Sequence, residues 1–239
     1  MIRLALFGAS GRMGQTLLAL PGEGHQWVAC VDRDDSQERL VEALKAADVV
    51  VDFSTADALD RLFDALSEQP CALVSGTTGM SDEQSERMAA LAERMPVLWA
   101  SNMSVGVAVL HGLVRRVAEQ LADWDVEVVE THHRNKLDAP SGTALTIAAA
   151  AAAGRPGATI SQGRSGKGLR QDGEIGVQAL RGGSVIGYHE VHLFGAGEQL
   201  TLAHRAEGRE QFAAGALRAA LWIAGRPTGR YALDQVLGL

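Results

Sequence analysis

The chain has 239 residues, with 22 Lys and Arg against 29 Asp and Glu, for a net charge of −7 with histidines neutral. At roughly 100–200 residues per domain, that length makes one large domain or two small ones, with core enough to need no disulfide or metal staple. The acidic balance argues against a nucleic-acid partner. Cys30 and Cys71, the only cysteines, sit in apolar runs and fit a reducing cytoplasm, and no stretch is apolar for long enough to span a membrane.

The first half alternates short apolar runs with amphipathic stretches. Strands are expected at Ile2–Phe7, Trp27–Asp32, Val49–Phe53, Ala72–Ser75 and Val97–Ala100. Between them, helices are expected from the glycine turn at Gly8–Gly14 to about Leu20, over Ser36–Ala47, over Ala56–Ser67 and over Ser81–Arg94. Strands alternating with helices of this length make βαβ units and a parallel sheet. After Asn102 the pattern changes. A helix over Val105–Leu121, a strand over Val126–Glu130 and a helix over Ser141–Ala153 lead into a glycine-rich loop, Gly154–Gly173. Strand-like runs follow at Ile175–Arg181, Val185–Phe194 and Gln199–Ala206, then an amphipathic helix at Arg209–Ile223. The fold class is α/β: a Rossmann-like parallel-sheet domain plus an α+β domain with a mixed sheet.

Gly8-Ala9-Ser10-Gly11-Arg12-Met13-Gly14 lies between a strand and a helix. Glycines in such a turn make it tight, let backbone approach a pyrophosphate and let helix and strand pack closely, while the helix N-terminus offers N–H groups to the phosphates. The spacing is G-x-x-G-x-x-G. Asp32, at the end of the second strand, stands where an acid can hydrogen-bond the adenine ribose of NAD. Its neighbour Arg33 can pair with the extra phosphate of NADP, so either cofactor is open. Phe53-Ser54-Thr55, Gly76-Thr77-Thr78-Gly79 and Ala100-Ser101-Asn102-Met103-Ser104 place small polar residues at strand ends, where an open parallel sheet binds its ligand.

The densest polar cluster is Glu130–Ala144. His132, His133, Arg134 and Lys136 can carry positive charge and suit a small anionic substrate, above all a dicarboxylate. Ser141-Gly142-Thr143 opens a helix after Pro140, an anion cradle of N–H groups and hydroxyls. His132 and Lys136 can also supply protons near neutral pH if tuned by their surroundings. The spacing matches no common metal-ligand pattern. His25, His111, His189, His192 and His204 lack such company and are read as structural.

The run E-T-H-H-R-N-K-L-D-A-P-S-G-T-A resembles the signature of the 4-hydroxy-tetrahydrodipicolinate reductase (dihydrodipicolinate reductase) family. The glycine turn, Gly76–Gly79, Ala100–Ser104 and Arg181–Val191 match in order, so the resemblance covers essentially the whole chain. It implies a cofactor domain over 1–103 and 208–239 and a substrate-binding and oligomerisation domain over 104–207 whose sheet builds a homotetramer. It implies reduction of the cyclic hydroxy-tetrahydrodipicolinate by NADH or NADPH, without metal. By position, His132 is the proton donor/acceptor and Lys136 a proton donor. His133, Ser141, Gly142 and Thr143 hold the substrate carboxylates. Gly8, Ala9, Ser10, Gly11, Arg12, Met13, Asp32, Arg33, Gly76, Thr77, Thr78, Ala100, Ser101, Asn102 and Met103 contact the cofactor.

The sequence departs from the family in three places, one being the acid after the second strand, often Glu in the family and here the shorter Asp32. Asp32 and Asp52 are 20 residues apart, about half the usual spacing, as if a helix and a strand were trimmed from the adenine side. Met103 stands where the family usually has Phe. The acids of Asp32–Asp35 repel a 2′-phosphate and tilt the reading to NADH. Two alternatives stay open: a dehydrogenase acting on another small carboxylate such as an amino acid, and a non-catalytic nucleotide sensor, which would have no use for His132 and Lys136.

Overall fold

A computed structural model describes residues 1–238. The chain forms two compact units. One comprises Met1–Val105 together with a return segment that begins at Arg209; the other is Gly106–Gly208.

The first unit is built on a six-stranded sheet of β1 (Ile2–Phe7), β2 (His25–Val31), β3 (Val49–Asp52), β4 (Ala72–Ser75), β5 (Pro96–Trp99) and β11 (Gly229–Tyr231). Its order is β11-β5-β4-β3-β1-β2 and every pairing is parallel. The central strands are buried at every position because helices cover both faces, and β3 and β4 are apolar up to their last residues, Asp52 and Ser75. The first helices are α1 (Arg12–Ala19), α2 (Gln37–Ala46), α3 (Ala56–Glu68) and α4 (Asp82–Ala92). Leu40, Leu44, Leu59, Leu62, Phe63 and Leu91 from α2, α3 and α4 pack with Ala5, Phe7 and Val50 of the sheet. α7 (Glu210–Ile223) packs against α1 and against β3, β4 and β5.

Serine caps start α2 and α4. Ser36 Oγ accepts from the Arg39 amide, and Ser81 forms a reciprocal capping box with Gln84. β2 is an edge strand. In a doubly wound sheet of order 3-2-1-4-5-6 a further strand would lie outside it. Here α2 carries the chain from β2 straight to β3 on the far side of β1, which accounts for the short spacing between Asp32 and Asp52. The order of the strands reverses between β1 and β3, and that reversal sets the ligand crevice at their carboxyl ends.

The second unit holds α5 (Val105–Gln120, its first residue at the boundary), β6 (Asp125–His132), α6 (Gly142–Ala153), β7 (Thr159–Gln162), β8 (Glu174–Arg181), β9 (Gly187–Gly195) and β10 (Glu198–Ala206). The sheet order is β10-β9-β6-β8-β7. β6 pairs in parallel with β8 and antiparallel with β9, so the sheet is mixed. Leu110, Val114 and Ala118 of α5 and Ala144, Ile147, Ala148 and Ala151 of α6 share one core with Val126, Val128, Ile175, Val177, Val191 and Leu193. The alanine run is packed helix. At its end Gly154 approaches α5 so closely that a Cβ would lie 2.5 Å from the Arg115 carbonyl oxygen.

Three elements were not expected. β7 lies inside the stretch read as loop. It is a four-residue, mostly exposed edge strand whose polar residues give no alternating signal. β11 and α8 (Leu233–Leu237) follow the helix taken as last; both are too short for periodicity to show. Among the described residues no helix is long and apolar enough to cross a membrane.

Candidate active site

In the first unit, Gly8 adopts φ +88° and a Cβ there would sit 2.6 Å from the Phe53 carbonyl oxygen. A Cβ on Gly14 would overlap the Gly8 carbonyl oxygen and lie 2.6 Å from that of Ala9. The turn therefore exists only because these positions lack side chains. The Gly11 amide closes it onto Gly8 O at 3.2 Å, and α1 begins at Arg12. A cavity of about 290 Å³ opens beside it, lined among others by Gly8, Ser10, Asp32, Arg33 and Ser54. Asp32 accepts from the Ser10 amide at 3.0 Å and the Ser10 hydroxyl at 2.8 Å. Arg33 is exposed and lies 3.5 Å from Asp34. Arg61 of α3 donates to the carbonyls of Arg33 and Asp35, pinning the loop after β2.

The other strand ends hold together around a carboxyl that sequence reasoning passed over. Asp52, fully buried at the end of β3, accepts from the Ser54 amide (3.0 Å), the Ser54 hydroxyl (2.6 Å) and the Ser75 hydroxyl (2.6 Å). Burial pushes its pKa up, and these donors oppose the shift in part. Gly76 donates to Asp52 O and Ala100 to Ser75 O, so Gly76–Thr78 and Ala100–Met103 follow directly from the sheet. Trp99 Nε1 donates to Thr77 O at 2.8 Å. Thr78 and Ser101 are exposed, whereas Ala9, Thr77 and Met103 are buried. Gly215 on α7 lies so close that a Cβ would overlap the Met103 carbonyl oxygen. The glycine cradle, the amides at the start of α1 and the Asp32 carboxylate fit a dinucleotide.

In the second unit, β6 ends at His132. Alternation along the strand puts Glu130 and His132 on one face, and both are buried. Glu130 Oε2 lies 2.6 Å from His132 Nδ1 and 2.8 Å from Arg181 Nη1; Glu130 Oε1 accepts from the Ser141 amide at 2.9 Å and from Arg181 Nη2 at 2.7 Å. Burial alone would raise the Glu130 pKa. The donors Arg181, His132 and the Ser141 amide outweigh it, and the carboxyl is held below its ordinary value.

Ser141 caps α6, its hydroxyl accepting from the Ala144 amide at 3.2 Å. That hydroxyl is also 3.3 Å from His189 Nε2, and the His189 ring meets His132 edge-on at 5.2 Å. His189, read from sequence as structural, therefore belongs to the cluster. Desolvation, helped by His132, lowers its pKa to about 4, so it is neutral near pH 7. Lys136 Nζ is 2.8 Å from Asp138 Oδ1 in the loop before α6, and this pairing lowers the Asp138 pKa. His133 and Thr143 are half-buried, and Gly142 and Arg134 exposed. The structure thus gathers His132, Ser141, Glu130, Arg181 and His189 tightly. Glu130 was given no role from sequence. An acid two residues before a histidine on a strand was the available signal, whereas Arg181 and His189 are brought in only by the register of β8 and β9 on β6.

A nucleotide cradle in a parallel-sheet unit, joined in one chain to a buried acid–base cluster, is the design of a dehydrogenase-type oxidoreductase that uses a nicotinamide cofactor. Residues 2–103 match the family described as dihydrodipicolinate reductase, N-terminus, and residues 106–237 the family described as dihydrodipicolinate reductase, C-terminus. The chain belongs to the dihydrodipicolinate reductase family. It is 44% identical over 264 residues to a 4-hydroxy-tetrahydrodipicolinate reductase of Anaeromyxobacter sp. (strain Fw109-5), covering 100% of this chain and 98% of that protein. It is 45% identical over 251 residues to one of Caulobacter vibrioides, covering 99% and 97%. Among solved structures, the dipicolinate-bound dihydrodipicolinate reductase from Paenisporosarcina sp. TG-14 superposes with TM-score 0.81 at 26% identity, over 98% of this chain and 99% of that one. An amine dehydrogenase from Mycobacterium smegmatis (TM-score 0.60, 13% identity, 98% and 95% covered) shares the fold alone.

Proposed function

We propose that the chain reduces 4-hydroxy-tetrahydrodipicolinate to tetrahydrodipicolinate in diaminopimelate and lysine biosynthesis. The observation that carries this reading is the Glu130–His132–Ser141–Arg181 cluster, whose first three members lie inside the family signature. When bound, the reduced nicotinamide supplies a hydride to the ring. Gly8–Met13, Asp32, Arg33, Gly76–Thr78 and Ala100–Met103 hold that cofactor. His132 gives and takes a proton and Lys136 donates one as water leaves. His133 and the Ser141-Gly142-Thr143 turn hold the two carboxylates, a reading supported by the amides that begin α6 and by the dipicolinate bound in the Paenisporosarcina enzyme.

NADH is the preferred reductant. Asp32 and Asp34 line the cavity with Arg33, and Arg33 already has Asp34 beside it, so a 2′-phosphate meets net negative charge. The protein works in the cytoplasm, in keeping with two free thiols. The homotetramer forms on the open face of the mixed sheet: along β9, buried Val191 and Leu193 alternate with part-exposed Tyr188, Glu190 and His192.

A coupled assay with hydroxy-tetrahydrodipicolinate, comparing NADH with NADPH, tests the reading. Turnover of that substrate, faster with NADH, is the expected result; turnover of a small amino acid instead would overturn it. Light scattering tests the tetramer.

A further inference from the structure

Glu130 is an acceptor only, since the Arg181 fork and the Ser141 amide occupy both its oxygens as a carboxylate. The short contact to His132 Nδ1 must then have the ring as donor. The proton of the neutral imidazole is fixed on Nδ1, and Nε2 is left as the nitrogen with the free lone pair. On that side the neighbour is Gly187, where a Cβ would come within 3.1 Å of Nε2.

We propose that Glu130 is a positioning residue for the reduction: it holds His132 in the Nδ1–H tautomer with Nε2 as the proton-transferring atom, and through the Ser141 amide it locks that ring to the turn that receives the substrate carboxylates. The inference rests on the reading of His132 as proton donor. Arg181, which also donates to the Asp138 carbonyl, spans the cluster and keeps Glu130 ionised. The charged and titratable groups around His132 are Glu130 on its own strand, Arg181 on β8, His189 on β9, His204 opposite His189 on β10, and Lys136 with Asp138 in the following loop. Glu130 alone of these meets Nδ1 among the described residues.

The test combines ¹⁵N NMR of the His132 ring in the unliganded full-length protein with steady-state kinetics of Glu130→Gln and Arg181→Lys. The wild-type ring is expected as the Nδ1–H tautomer. Glu130→Gln is expected to lose this preference, to lower kcat about 100-fold and to leave KM for NADH unchanged. Arg181→Lys, which keeps the charge but loses the fork, is expected to shift the same quantities less. It stands in if Glu130→Gln does not fold. An Nε2–H tautomer in the wild type, or a Glu130→Gln enzyme with wild-type kcat and the wild-type ring tautomer, overturns the proposal. If the wild type fails to turn over hydroxy-tetrahydrodipicolinate, the functional reading falls, and the tautomer measurement, which needs no substrate, still decides the role of Glu130.

Discussion

Asp32 is held by the glycine turn itself: Ser10 donates to its carboxylate from both amide and hydroxyl, at 3.0 and 2.8 Å. A carboxylate has about four acceptor sites, so this clamp orients the side chain and leaves sites for ribose hydroxyls. Asp32→Ala should weaken NADH binding by about 10-fold or more, the worth of hydrogen bonds to a charged group of roughly 1.5–3 kcal/mol, and weaken NADPH binding less. Fluorescence titration of both cofactors measures this. Equal losses would show that Asp32 does not discriminate.

Lys136 reaches Asp138 and is otherwise partly open, with 23% of its side chain exposed. Lys136→Ala should lower kcat by about 100-fold or more, as removal of a proton donor does, while the Kd for NADH stays the same. A variant that keeps its kcat would remove Lys136 from the chemistry.

Gly187 gives the His132 ring its room. In Gly187→Ala the ring must retreat by a few tenths of an ångström. A loss of about 10-fold in kcat is expected, since displacements near 1 Å cost about 100-fold. Circular dichroism and the melting temperature should stay near wild type. A melting temperature that collapses would make the glycine a packing requirement instead.

His189 is buried and neutral, with its pKa lowered to about 4. The unfolded chain binds a proton at this residue below about pH 6.5, whereas the folded chain does so only near pH 4. Folding stability from this residue is therefore whole above pH 6.5 and falls as the pH drops toward 4, by about 3 kcal/mol over the window. Urea unfolding at pH 7 and pH 4.5 should show the loss in the wild type and a smaller one in His189→Asn. The same slope in both would assign it to other groups.

The cradle is tested at Gly14, where a methyl would strike the carbonyls of Gly8 and Ala9. Gly14→Ala should cost about 1–3 kcal/mol by overpacking and abolish measurable NADH binding. Unchanged binding by calorimetry would mean that the turn is not the pyrophosphate site.

Much of this was legible in the chain because it is local. β1 and β4 run where their apolar stretches do, and Ser36, Ser81 and Ser141 sit at helix caps because a serine hydroxyl there satisfies a free amide of the helix's first turn. His132, Lys136 and Ser141 lie within one run of sequence. The rest depends on pairing at a distance. Glu130 faces His189 and His132 faces Arg181 only through strand register, and Asp52 meets Ser75 across 23 residues. β7 and β11 are recruited to sheet edges that their own composition does not announce.

The return of the chain at Arg209 also sets an order of events during synthesis. Domains generally fold as they emerge, N-terminal first. The strand β11 and the helix α7, which covers β3, β4 and β5, emerge only after residues 106–208. The inserted unit, with the Glu130 carboxylate and its partners, can therefore finish on the ribosome while the nucleotide sheet still has a bare face and an open edge. The half of the protein made first is the half completed last.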